Sequence, residues 1–148
     1  MTVFEPRNPN WERDVRAIFA AQTAMTTLAA SPLELAPGRV ALEAPFAAAF
    51  AQHDGFMHAG VATTLMDSAC GGAAFTLMPP GCGVLTAELK ASYLAPATGA
   101  RFRAEGRVLK PGRTLTFCEG RAFAIAEDGT ETLIATLSAT MMTMRREG

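Results

Sequence analysis

Asp67 is the only formally charged residue between Asp54 and Glu88, and it falls inside a predicted helix. Aspartate is unfavourable within a helix because its short carboxylate competes for backbone hydrogen bonds, and a buried carboxylate needs donors. Such an expensive residue in neutral surroundings indicates a functional site. Two interpretations stay open. Asp67 is a reactive carboxylate, or it lies on a solvated stripe of the helix with Thr63, Thr64 and Cys70.

The second candidate feature is the glycine-containing loop at residues 52–60, which runs directly into the start of the same helix. Helix starts carry unpaired N–H groups and the positive end of the helix dipole, so they suit a carbonyl oxygen that becomes negative during acyl transfer. We expect that an oxyanion site and Asp67, about two turns further along the same helix, flank a single acyl carbon. The alternative is an ordinary loop, with His58 a packed histidine and His53 a surface one.

Two helices and a first strand are predicted before residue 80. Apolar residues recur at helical spacing from Trp11 to Ala29, which predicts one amphipathic covering helix that stops at Ser31-Pro32. Pro37-Gly38 predicts a turn, and alternation over residues 40–44 predicts a strand after it. Residues 58–78, rich in small side chains, predict a buried central helix that ends at the prolines 79 and 80.

After residue 83 the hydrophobic period becomes two, which is typical of strands. In the first of these strands, the alternation predicts that one face bears Leu85, Ala87, Leu89, Ala91 and Tyr93. Its other face would bear Thr86, Glu88, Lys90 and Ser92. Further strands are predicted over residues 101–108, 114–126 and 131–144, joined by turns at residues 111–112 and 127–130.

An antiparallel sheet with one strand first and a meander last, wrapped around a long central helix, is the hotdog fold, of class α+β. We expect a single domain over residues 1–148, with an N-terminal helical segment at 1–32 and the hotdog core at 33–144. A lone sheet of this size would leave apolar surface exposed, so we expect a homodimer or a dimer of dimers.

Four ordered motifs resemble the PaaI-type hotdog acyl-CoA thioesterases, the phenylacetate-degradation and hydroxybenzoyl-CoA branch. His58-Ala59-Gly60 followed by Asp67 is similar to the family's His-Gly-Gly-x6-Asp signature. Residues 83–86 resemble its second strand, residues 93–97 its Tyr-x-x-Pro-Ala end, and residues 110–114 its Lys-x-Gly-Lys/Arg-Thr turn. The resemblance covers residues 33–144.

The resemblance implies roles for individual residues. Asp67 corresponds to the catalytic carboxylate, a general base on water or a nucleophile on the thioester. The N–H of Ala59, where the family has glycine, would polarise the carbonyl. Gln52 stands where many relatives have an asparagine that positions the thioester or water. Thr86 corresponds to a residue that holds the water from the neighbouring subunit.

The resemblance also implies two coenzyme A contacts. The implied residues are Tyr93, Leu94, Ala95 and Pro96 in one segment, and Lys110, Gly112, Arg113 and Thr114 in the other. Basic side chains at a glycine turn suit a pyrophosphate, although the same pattern is typical of a solvated hairpin. The implied reaction is hydrolysis of a small aryl- or medium-chain acyl-CoA to the free acid, with no cofactor beyond the CoA of the substrate.

Composition argues against several other classes. With 13 Lys and Arg against 14 Asp and Glu, the chain has a net charge of −1, so neither nucleic acid nor an anionic membrane is an expected partner. The N-terminus lacks a signal-peptide pattern. Cys70, Cys82 and Cys118 have no Cys-x-x-Cys spacing and only two histidines to join them, which indicates reduced thiols, a cytoplasmic location and no metal site.

Two rival functions remain open. A hotdog dehydratase or hydratase would use His58 as a base beside Asp67, although the motif spacing matches the thioesterases better. A non-catalytic acyl-CoA-binding domain would use Asp67 only to orient its ligand. Convergence of Asp67, Gln52 and a partner's Thr86 on one point distinguishes catalysis from binding.

Overall fold

The computed structural model of the protein describes residues 2–147. Its helices are α1 (Trp11–Ala21), α2 (Thr23–Thr27) and α3 (Ala59–Phe75), with one 3-10 turn at Ala48–Phe50. Its strands are β1 (Ser31–Ala36), β2 (Arg39–Pro45), β3 (Cys82–Tyr93), β4 (Arg101–Lys110), β5 (Leu115–Ile125) and β6 (Glu131–Arg145). The six strands form one antiparallel sheet in the order β1-β2-β4-β5-β6-β3. The predicted hotdog fold is confirmed.

The sheet wraps around α3, whose inner face is buried and made of small and flexible side chains. Glycines in the sheet let the helix approach its backbone directly. A Cβ added at Gly106 of β4 would lie 2.3 Å from the carbonyl carbon of Ala69, and one at Gly120 of β5 would lie 3.2 Å from Cys70 Sγ. The depth of α3 in the sheet is therefore fixed by backbone contact at Gly106.

The end of α3 is tied to the hairpin between β1 and β2. Gly38 has a φ of +76°, a conformation that favours glycine, and its N–H donates to the buried Thr76 Oγ1 at 2.7 Å. Thr76 Oγ1 in turn donates to Ala73 O at 2.7 Å. The central helix is shorter than predicted. It begins after His58, and from Thr76 onward only isolated hydrogen-bonded turns remain before Pro79. The strand β1 was not predicted.

The N-terminal segment forms two helices, so the prediction of one helix from Trp11 to Ala29 is wrong. The chain becomes extended at Gln22, which has a φ of −78° and a ψ of 102°. Apolar spacing continues across this break, which is why the pattern does not reveal it. Phe19 of α1 packs on Gly72 of α3, where an added Cβ would lie 2.5 Å from its ring.

A bulge at Ala87 interrupts the alternation of β3. Thr86 pairs with Met141, but the next pair along the ladder is Glu88 with Thr140. Because one extra residue is inserted here, Thr86 and Leu89 lie on the same side of β3, the side that faces the helix. The predicted split of β3 into two faces is therefore wrong, because it placed Thr86 on the face of Glu88.

Candidate active site

Asp67 and Thr86 form the centre of the site. Asp67 lies in the middle of α3 and is half-buried, and Thr86 lies on the edge strand β3. Thr86 Oγ1 donates to Asp67 Oδ1 at 2.6 Å, within a single chain. No donor among residues 2–147 reaches the other carboxylate oxygen, Oδ2. The carboxylate is thus oriented through one oxygen while the other is open to water or a ligand.

A groove with a volume of about 500 Å³ opens beside this carboxylate, between α1, α3 and the first half of β3. Its polar end contains Asp67, Thr86 and Ser68, and Ser68 Oγ donates to Gln22 Oε1 at 3.2 Å. The other lining residues include Ile18, Phe75, Val84 and Met141. Ser68 and Gln22 were not predicted as site residues, since a contact between residues 46 positions apart has no local signal in the sequence.

His58 caps the start of α3. Its Nδ1 accepts a hydrogen bond from the N–H of Gly60 at 2.9 Å, and its carbonyl oxygen accepts from Val61 at 2.9 Å. The N–H of Ala59 lies between these two and has no acceptor among residues 2–147. Ala59 is also exposed. One helix-start donor therefore remains free to bind an oxygen that carries developing negative charge.

The loop before α3 is held by its own hydrogen bonds. Gln52 donates its N–H to Phe56 O at 2.8 Å, and Gly55 donates to Gln52 O at 3.0 Å. The side-chain Oε1 of Gln52 accepts from the N–H of Asp54. In the single chain this side chain therefore closes its own loop, and the structure does not bring Gln52 and Asp67 together with Thr86.

The segment at Tyr93 lies against the first half of α3. The Tyr93 hydroxyl is hydrogen-bonded to Thr63 Oγ1, which donates to Ala59 O at 3.0 Å. The next residues leave the ladder, since the N–H groups of Leu94 and Ala95 both donate to Ile134 O. Tyr93, Leu94 and Pro96 are exposed and Ala95 is half-buried, so this segment borders the free helix start.

The second segment implied for coenzyme A lies at the opposite end of the sheet. The turn after β4 is tight, because an added Cβ at Gly112 would lie 2.1 Å from Leu115 O, and Thr114 O accepts from Thr143 at 2.8 Å. Lys110 and Arg113 are exposed and form no ion pair within residues 2–147.

The strand pairing along β6 gives the distance between the two segments implied for coenzyme A. Tyr93 pairs with Ala135, whereas Leu115 pairs with Met142, seven residues further along β6. At about 3.4 Å per residue, roughly 24 Å separates these two levels of the sheet. Within one chain the two segments therefore do not form a single binding site.

The two buried cysteine thiols, Cys70 and Cys118, do not add a nucleophile to the site. Cys70 lies one turn after Asp67 but is fully buried. Burial, with smaller effects from Cys118 and the negative charge of Asp67, holds the pKa of Cys70 far above its ordinary value. Burial also raises the pKa of Cys118 to about 12. Both remain neutral thiols at physiological pH.

Residues 2–147 form neither a cluster of metal ligands nor a membrane-spanning helix. No group of three or more His, Cys, Asp or Glu side chains is placed to hold a metal ion. None of the helices described is long and apolar enough to cross a membrane.

Comparisons with known proteins show which family and fold this chain shares. Residues 54–131 match the model of the thioesterase superfamily. A thioesterase family protein of Silicibacter pomeroyi is 47% identical over 92% of this chain and 99% of its own, with a TM-score of 0.90. An esterase candidate of Saccharolobus solfataricus is 32% identical over 87 residues, 59% of this chain and 61% of that protein, so the match spans less than two thirds of that relative.

A more distant solved structure supports the fold alone. The Escherichia coli PaaI protein from the phenylacetic acid degradation operon is 14% identical over 94% of this chain and 95% of its own, with a TM-score of 0.79. The family match covers the helix start, Asp67 and Thr86. The chain therefore belongs to the thioesterase superfamily, a family of thioester hydrolases.

Proposed function

We propose that the protein hydrolyses the thioester of a small aryl- or medium-chain acyl-CoA to the free acid and coenzyme A. The observation that carries this proposal is the open Oδ2 of Asp67, on a carboxylate oriented by Thr86 beside a groove. Acting as a base, Asp67 takes a proton from water while the water oxygen bonds to the acyl carbon. The C–S bond then breaks, and the thiolate leaves and is protonated. As a nucleophile, Asp67 would instead form an anhydride that water hydrolyses.

The free N–H of Ala59 supports acyl transfer, because it can stabilise the oxyanion of the tetrahedral intermediate. Ala59 and Asp67 are eight residues apart on one straight helix, which is about 12 Å. One acyl carbon cannot lie within reach of both groups in the same chain. The Ala59 that serves a given Asp67 would therefore come from a second copy.

The edge strand β3 offers the surface for that second copy. Leu85 and Leu89 on this strand are 48% and 40% exposed, which is unusual for large apolar residues and favours pairing. A symmetric pair would run its two β3 strands antiparallel. The Tyr93 end of one copy would then approach the end of the other copy that carries Lys110 and Arg113, so both implied coenzyme A segments could contact one ligand.

The dehydratase alternative is less well supported, because it needs His58 as a base. His58 Nδ1 accepts from Gly60 in the helix cap, and nine residues separate this histidine from Asp67 along the chain. Within one chain Gln52 does not join Asp67 and Thr86, so this convergence does not argue against a non-catalytic binder. A binder nevertheless gives no reason for a carboxylate that is held by Thr86 through one oxygen and open at the other.

The test is release of free thiol from a panel of acyl-CoA thioesters, from arylacetyl to medium-chain, by the wild type, Asp67→Asn and Glu127→Gln. Glu127 is an exposed carboxylate in the turn before β6 and serves as the matched control. We expect the wild type and the control to turn over, and Asp67→Asn to lose at least about a hundredfold in kcat. Binding of acyl-CoA without thiol release, or full activity in Asp67→Asn, would contradict the proposal.

A further inference from the structure

Gly71 occupies an unusual position in α3. It lies in the helix interior, where glycine is the least favourable residue after proline. The neighbouring Gly72 has a packing reason, since Phe19 fills the space that its side chain would take. A Cβ built at Gly71, in contrast, meets no atom within 4 Å among the described residues. Packing within the chain does not require a glycine at this position.

Gly71 lies one helical turn after Asp67 and lines the groove beside it. Residues four apart share a helix face, and a helical side chain leans towards the preceding turn. A larger side chain at position 71 would therefore extend over Asp67. The missing side chain keeps open the space that leads from the carboxylate into the groove.

The walls of this space combine apolar side chains from three elements with the charged side chains of Asp14 and Arg146. The apolar side chains are those of Ala17 and Ile18 of α1, Phe75 of α3 and Val84 of β3. The hydrogen bond from Ser68 to Gln22 fixes the end of α1 against α3 at the mouth of the groove. A volume of about 500 Å³ is in the range of small-molecule sites.

We propose that this groove binds the acyl group of the thioester, and that Gly71 and α1 set the size of the acyl group accepted. The carbonyl carbon lies at Asp67, and an apolar acyl body of medium size extends over Gly71 between Ile18 and Val84. The assignment rests on the proposed thioesterase function. It adds the place where the acyl group lies and the residues that limit its size, and it makes α1 part of the substrate site.

The test uses non-hydrolysable S-alkyl-CoA thioethers, so that binding is measured separately from turnover. Isothermal titration compares S-ethyl-CoA with S-octyl-CoA on four variants and the wild type. Gly71→Leu fills the groove, whereas Gly71→Ala adds only a Cβ. Ala17→Phe fills the groove from α1, and Ala20→Phe places the same ring on another face of α1, outside the groove. Thermal melting and size-exclusion chromatography check the fold of each variant. If Gly71→Leu does not fold, the two phenylalanine variants on α1 still test the assignment.

We expect the wild type and Ala20→Phe to bind the octyl thioether at least about tenfold more tightly than the ethyl one, because burying methylene groups is favourable. Gly71→Leu and Ala17→Phe should lose this preference, and Gly71→Ala should lose less of it. No preference in the wild type, or an unchanged preference in both filled variants, overturns the assignment.

Thiol release by the wild type separates this inference from the proposed function. Hydrolysis without any dependence on chain length contradicts the acyl groove alone. Chain-dependent binding that both filled variants lose, without hydrolysis of any thioester, supports the groove and contradicts the proposed reaction.

Discussion

Thr86 Oγ1 donates a hydrogen bond of 2.6 Å to Asp67 Oδ1, and this contact joins the edge strand to the central helix. A hydrogen bond to a charged group contributes more than one between neutral groups. We expect Thr86→Val to lower kcat/KM for thioester hydrolysis roughly tenfold to a hundredfold. Thr86→Ser keeps the hydroxyl and should retain most of the activity. Steady-state kinetics on both variants measure the difference, and a valine variant as active as the serine variant would show that the contact is not functional.

Gly106 should be among the least replaceable residues of the sheet. A Cβ at this position would lie 2.3 Å from backbone atoms of α3, which cannot move aside as a flexible side chain could. We expect Gly106→Ala to lower the free energy of unfolding by about 3 kcal/mol. Chemical denaturation measures this loss. Gly83→Ala is the matched control, because its Cβ would meet its nearest neighbour at 3.6 Å, an ordinary contact distance. Equal stability of the two variants would contradict the backbone contact.

The three thiols should differ sharply in reactivity. Cys70 and Cys118 are buried and have raised pKa values, so little thiolate is present at pH 8, whereas Cys82 is half-buried at the groove. With Ellman's reagent at pH 8 we expect one thiol per native chain to react and three after unfolding. Native Cys82→Ser should show none. Rapid reaction of two or three thiols in the native wild type would mean that the core is more open than the structure shows.

The ion pair between Arg103 and Glu131 predicts a pH-dependent contribution to stability. The hydrogen bond from Arg103 holds the pKa of Glu131 below its ordinary value. A lowered folded-state pKa adds stability above the unfolded-state pKa, near 4.5, and that stability is lost as the pH falls through the folded-state pKa. We expect Glu131→Gln to be less stable than the wild type at pH 7 and equal to it at the acid end. Melting curves across this range test the sign, and a difference that grows towards low pH would contradict it.

The prediction from sequence was most successful where a local pattern determines the structure. The buried α3, the meander and the loop before the helix each have a period or a turn signal, and Asp67 was conspicuous as the one charge in a neutral stretch. The role of Thr86 came only from the family resemblance. The period-two pattern placed it on the wrong face, because a single extra residue at Ala87 has no pattern of its own.

The groove was not predictable for a different reason. Its walls belong to elements far apart in the chain, as the contact between Gln22 and Ser68 illustrates. The break at Gln22 does not interrupt the apolar spacing, so the sequence indicates one continuous helix there. Gly71 does carry a signal, since two consecutive glycines inside a helix are unfavourable. Only the packing shows that Phe19 accounts for one of them and that the other faces open space.

The backbone contact at Gly106 also bears on how the carboxylate reaches its working position. The atoms that touch Gly106 belong to Ala69 and Cys70, two and three residues after Asp67. With no side chains between helix and strand at this point, the distance from α3 to the sheet is set by backbone atoms, which have no rotamers to adjust. The alignment of Asp67 is therefore completed when the chain folds, and substrate binding does not have to supply the entropy of positioning this group. The part of the site that adjusts to different substrates would then be the groove wall formed by α1.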